Sequence, residues 1–205
     1  MNPTVFVEDW APYSYLIKAL LKVKPLGQVR IRPYDEVDHA LNRDSDATST
    51  FVAYQDAHEA TFSFLAVAEA LDRQFNDVLL CGDTASLRAV IRSACQIIDE
   101  GHLMLAASQL VDFPGYSGPR WHDGSRAPEA MLETYFKKLA IMERLAVGPG
   151  SFLLGERPYL PDVIVAACSW YAHDIGLPAI PEELPTLTAW YDYACIKGPF
   201  GISPK

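Results

Sequence analysis

The sequence predicts a small mixed α/β domain followed by an all-helical one. Three observations carry this reading. Strand-like alternation occurs early in the chain and stops after Phe62. The strand-like and helix-like segments come in the order βαβ, then ββα. Beyond Phe75 the 3.6-residue period of amphipathic helices takes over. The two domains are expected at residues 1–76 and 84–205.

Each element has its own warrant. Thr4 to Glu8 alternates and reads as a strand. Pro12 suits the first turn of a helix, where a missing N–H costs nothing. Leu16, Ile17, Leu20, Leu21 and Val23 give that helix one apolar face as far as Lys24, and Pro25 and Gly27 end it. "QVRIR", 28–32, reads as a second strand, "TFVAY", 50–54, as a third, and Glu59 to Phe62 as a short fourth. Ser63 opens the helix "SFLAVAEALDRQF". Thr84 is placed to cap a long helix towards Val111, with Gly101 as a candidate bend. The segment 112–128 is rich in Gly and Pro and reads as a loop. The next helix is expected to place Met131, Tyr135, Leu139, Met142 and Leu145 on one face. "DVIVAACSWYAHDIG" is apolar nearly all round, the mark of a buried helix, with Asp162 at its start as the cap. "TLTAWYDYACI" is a last, half-buried helix.

Composition narrows the function classes. Of 205 residues, 50% are hydrophobic, enough for a real core. The net charge of −9, with no long basic run, argues against nucleic acid as a partner. No apolar stretch is long enough to span a membrane, and "MNPTVFVEDWAP" lacks the pattern of a secretory signal. Cys81, Cys95, Cys168 and Cys195 are widely spaced, so reduced thiols and a cytoplasmic location are expected. No His or Cys spacing matches a metal site, so no metal is expected.

At the level of motifs, "SFLLGERPYLPDVIVAA" followed by "ELPTLTAWYDYACIKGPF" resembles the cytosolic glutathione transferase superfamily. Gly155, Asp162, Pro185, Leu187, Trp190 and Pro199 fall on that family's pattern. Ala66, Val67 and Leu71 match its second helix, and Pro12 and Leu21 its first. The resemblance implies a thioredoxin-like domain, a helical-bundle domain, a homodimer and a cleft for a small hydrophobic molecule. It also implies a glutathione site, but the residues that would build one differ. Ala11 stands where a thiol-activating hydroxyl is expected. Val52 is the nearest match to a cis-proline, and a non-prolyl cis bond costs roughly 3 kcal/mol. Ser63-Phe64, or Phe62-Ser63 after a one-residue slip, replaces a Glu-Ser pair that binds the γ-glutamyl group. Tyr159 replaces the Ser/Thr of the helical domain's capping motif.

The candidate residues follow from this. Ser14 either substitutes for the missing hydroxyl as a catalytic or anion-contacting group, or helps to cap its helix. Tyr13 is a candidate donor to a thiolate. Trp10, Ala11, Pro12, Val52, Ser63, Phe64 and His102 are candidates to line the ligand site, with His102 alternatively a surface or interface residue. "RWHDG", 120–124, is a candidate lid or ligand-contacting loop, with its adjacent His and Asp alternatively a base and its orienter or solvated loop charges. The resulting expectations are three: a glutathione-transferase-like protein with an atypical or lost glutathione site, an enzyme of that fold using no glutathione, or a non-catalytic carrier or interaction module.

Overall fold

The computed structural model describes residues 3–7, 12–24, 27, 29–33, 52–56, 60–75, 79–110 and 127–201. Strand β1 (Thr4–Val7) lies beside β2 (Arg30–Pro33), β3 (Val52–Gln55) and β4 (Ala60–Phe62) in the order β2-β1-β3-β4. The β1–β2 pair is parallel, and the β1–β3 and β3–β4 pairs are antiparallel. The parallel pair is joined across a connection containing α1 (Pro12–Val23), as parallel strands require. Register places Val7 opposite Val52 and Val5 opposite Tyr54, all four buried against the helices. Phe6 and Ala53 point the other way and form a smaller cluster with Phe62. Strand β2 lies at the sheet edge and all four of its residues are exposed, including Ile31.

Helix α2 (Phe64–Gln74) follows β4 directly. The helical part comprises α3 (Ala85–Leu110), α4 (Ala127–Leu145), α5 (Leu160–Asp174) and α6 (Pro185–Tyr191), the last running into a π-helical turn at Asp192–Ile196. Among the described residues no strand follows β4, as the sequence predicts; one isolated bridge joins Phe152 and Gly155. Helix α5 is the centre of the molecule and packs on both α1 and α3. Every residue from Leu160 to Ser169 is buried, which accounts for the continuous apolar run. One hydrophobic core therefore runs from the sheet through α1 and α5 into α3 and α4.

Several sequence expectations are refined. Thr84 is the cap of α3, its Oγ1 accepting from Leu87 N–H at 3.1 Å. Gly101 lies within an unbroken α3, and its role is close approach of α4: a Cβ there would lie 3.0 Å from Lys138 Cβ. Tyr135, Leu139 and Met142 are fully buried, whereas Leu145, at the end of α4, is 41% exposed and leaves that face. The four thiols are free.

Two carboxylates organise the assembly from inside. Asp162 Oδ1 accepts from Leu153 N–H and Trp190 Nε1–H, both at 2.8 Å, and Oδ2 accepts from Tyr159 N–H at 2.9 Å. It thus caps α5 while holding the preceding loop and α6. Asp72 of α2 forms an ion pair with Lys24, at the end of α1, and accepts from Leu80 and Cys81 N–H at 3.0 and 2.8 Å. Both partners of that pair are buried. Leu80 in turn accepts from Leu160 N–H at 3.0 Å, so the segment between α2 and α3 is tied to α2 and α5. At Gly82, φ is +84° and a Cβ would lie 3.0 Å from both Ile91 and Leu87, so this turn requires glycine.

Candidate functional site

Two of the residues singled out by sequence, Tyr13 and His102, meet where the start of α1 approaches the middle of α3. Tyr13 is buried and sets its ring edge-on to that of His102, with centroids 5.1 Å apart and planes at 87°. His102 is fully buried, so a surface or interface role is ruled out; it lies on the inner stripe of α3 with Ile98 and Leu105. Burial, reinforced by Asp99, pushes the Tyr13 phenol up to about 12. Tyr13 therefore keeps its proton at neutral pH. Ser14 is 2% exposed and its hydroxyl has no partner among the described residues, so it does not cap its helix. Tyr15 turns away and donates to Asp174 Oδ2 at 2.7 Å, which ties α1 to the end of α5.

Sequence reasoning missed Asp99. It precedes His102 by three residues, the spacing that places two side chains on one side of a helix. Asp99 is half-buried, and its carboxyl is pushed up by burial and then by Glu100. It lies near enough to raise the Tyr13 phenol and the Cys95 and Cys168 thiols as well. Among the described residues it has no hydrogen-bond or ion-pair partner. Glu100, by contrast, pairs with Lys138 of α4.

The remaining candidates divide. Trp10 and Ala11 lie outside the described residues, as does the segment 120–124. Pro12 is the first residue of α1. Val52 opens β3 with its side chain wholly in the core, leaving only its backbone to face a ligand. Ser63, exposed, bridges β4 and α2 at φ +82°, the one non-glycine positive φ among the described residues. Its side chain makes no capping bond. Phe64 is 2% exposed and packs into the core. Among the described residues 62–64 this junction presents no carboxylate and one small hydroxyl, that of Ser63.

A separate cavity of about 470 Å³ lies between α2 and the start of α3, with Leu65, Ile91 and Cys95 among its walls and Glu69 and Arg92 paired across it at 2.9 Å. Burial, with Asp72 beside it, pushes the Cys81 thiol of this cavity up to about 12, which makes it a poor nucleophile. Among the described residues no group of side chains is arranged to hold a metal, and no helix is long and apolar enough to cross a membrane.

No family model and no curated protein matches the sequence. Solved structures do match the fold. A glutathione S-transferase domain-containing protein from Marinobacter aquaeolei VT8 superposes with a TM-score of 0.75 at 19% identity, over 97% of this chain and 100% of that one. A bacterial maleyl pyruvate isomerase, a zeta-class glutathione S-transferase, gives 0.69 at 16% identity, over 98% and 99%. Maleylacetoacetate isomerase from Anaeromyxobacter dehalogenans 2CP-1, with glutathione in its active site, gives 0.65 at 18% identity, over 97% and 93%. The chain has the glutathione-transferase fold: a thioredoxin-like sheet domain followed by a helical bundle.

Proposed function

We propose that this is a divergent member of the glutathione transferase superfamily whose interdomain cleft takes a small hydrophobic molecule in place of glutathione. The observation that carries this is the junction of β4 and α2, where Phe64 is buried and no acid stands at Ser63. A buried Phe cannot be turned out to bind a peptide backbone without exposing a core side chain, which costs about 1.5–3 kcal/mol. The fold-determining residues persist, and the family resemblance implies a ligand cleft beside the start of α1 and the middle of α3. Tyr13, Ser14 and His102, buried where α1 meets α3, are the polar side chains from which such a cleft would draw its hydroxyls and imidazole. A homodimer is part of the same reading, and it rests on the family resemblance.

Calorimetry tests the reading. Titration with glutathione should give no heat of binding at micromolar concentrations, while the apolar probe anilinonaphthalene sulfonate should bind and gain fluorescence. A micromolar glutathione dissociation constant that disappears in Ser14→Ala would restore the ordinary transferase reading.

A further inference from the structure

We infer that the helical part carries a ligand site of its own, which takes an organic amine in its ammonium form on an aromatic body. The site shares no residue with the junction of α1 and α3 and does not rest on the reading of that junction. It is a cavity of about 600 Å³ between α4 and the connection from α5 to α6, in the size range of pockets that hold small organic molecules. Phe136 of α4 forms one wall, and Pro178, Pro181 and Leu184 of the connection form the others. The connection is held in place by its own bonds. Leu184 N–H donates to the Pro181 carbonyl at 3.1 Å, closing a turn with Glu182 and Glu183 at its two central positions. Directly after it, Thr186 and Leu187 N–H are fixed on Glu143, about two helical turns along α4 from Phe136. The cavity is therefore built into the packing of this connection on α4. Glu182 and Glu183 are its charged lining groups, and no Lys, Arg or His lines it. Neither carboxylate has a hydrogen-bond or ion-pair partner among the described residues. Two neighbouring carboxylates repel each other, and a cation placed between them relieves that repulsion. An ammonium has three donors with which to engage both. An aromatic body seated on Phe136 and the prolines would keep water away from the charges and so strengthen their attraction. The net charge of −9 favours the approach of such a ligand.

The probes are 1-naphthylmethylammonium, 1-naphthalenemethanol and 1-naphthoate, titrated calorimetrically into the full chain at pH 7.4. The ammonium should bind about tenfold more tightly than the alcohol, or better, and the naphthoate more weakly than both. The double variant Glu182→Gln/Glu183→Gln should bring the ammonium to the level of the alcohol and leave alcohol binding unchanged. The control Glu129→Gln/Glu156→Gln removes the same charge at exposed positions outside the cavity, and should keep the preference. Phe136→Ala should weaken the ammonium and the alcohol together, by about fivefold or more, with an unchanged far-ultraviolet circular dichroism spectrum. Should Phe136→Ala fail to fold, the two glutamine variants decide alone. Equal binding of the ammonium and the alcohol, no binding of either, a preference that survives Glu182→Gln/Glu183→Gln, or a preference lost in the control overturns the inference. Alcohol binding untouched by Phe136→Ala in a folded chain places the ligand elsewhere and overturns it too. The glutathione titration tests the cleft at α1 separately, so either reading can fall without the other.

Discussion

Asp162 holds three hydrogen bonds in a place from which water is excluded. Burial pushes its carboxyl up to about 6, against the bonds from Leu153, Tyr159 and Trp190 that hold it down. Asp162→Ala leaves three buried N–H groups without acceptors, so a loss of about 3–5 kcal/mol is expected. A thermal melt should show this as a fall on the order of 10 °C. The pH dependence has a definite sign. An unfolded aspartate titrates near 3.9, below the folded value of about 6. Between these values the folded chain binds a proton that the unfolded chain does not, so this group favours folding more as pH falls from about 7 to about 4. Urea melts of the wild type and of Asp162→Asn should therefore diverge in favour of the wild type over that interval. A constant difference would refute the assignment. Asp72 makes a second residue-scale prediction. Lys24→Met removes one partner of the buried pair, whereas Asp72→Ala takes the carboxylate away from the Lys24 ammonium and from the Leu80 and Cys81 N–H groups together. In chemical denaturation Asp72→Ala should be the more destabilising of the two.

At the scale of elements, the contact of α3 with α4 turns on Gly101. Alanine in mid-helix normally gains up to about 1 kcal/mol over glycine. At Gly101 the new Cβ would press on Lys138 Cβ at 3.0 Å, an atom next to the backbone that cannot swing aside. Gly101→Ala should accordingly destabilise by about 1–2 kcal/mol, with larger residues worse; a gain in melting temperature would show that α4 moves away freely. Helix α6 has a different support. Glu143 of α4 accepts from Thr186 and Leu187 N–H at 2.8 and 2.7 Å, doing from another helix what an N-cap does from its own chain. Glu143→Ala should cost about 1 kcal/mol in a urea melt, in the range of a lost cap.

For the whole molecule, the two halves share one core through α5, and the ion pair of Lys24 with Asp72 locks α1, α2 and the following segment together. The expected consequence is a single cooperative unfolding transition by both far-ultraviolet circular dichroism and tryptophan fluorescence. Separate transitions would mean that the halves unfold independently. Light scattering at micromolar concentration should give twice the mass of the chain if the proposed homodimer forms.

Much of the fold was legible in the order of the residues. The alternation in Thr4–Val7 and Val52–Gln55, the apolar run of α5 and the hydroxyl of Thr84 report local geometry, and local geometry follows from neighbours in the chain. The motif spacing around Gly155, Asp162 and Trp190 also pointed to the fold, since Leu153 of the loop before Gly155 and Trp190 of α6 both donate to Asp162. The candidate site was legible in part. Tyr13, Ser14 and His102 could be nominated from position in a pattern, but the burial of His102 depends on which side of α3 meets α1. The partnership of Lys24 with Asp72 spans 48 residues, and no local signal announces it. Gly101 looked like a bend because sequence shows a missing side chain and not the helix that needs the space. Asp99 carries no local signal that sets it apart from other helical acids, because charge alone does not tell whether a partner or water will surround it. Sequence by itself determined the elements, their order and the core helix; only the tertiary structure decided which polar groups were brought together out of water, because desolvation and pairing are properties of neighbours in space.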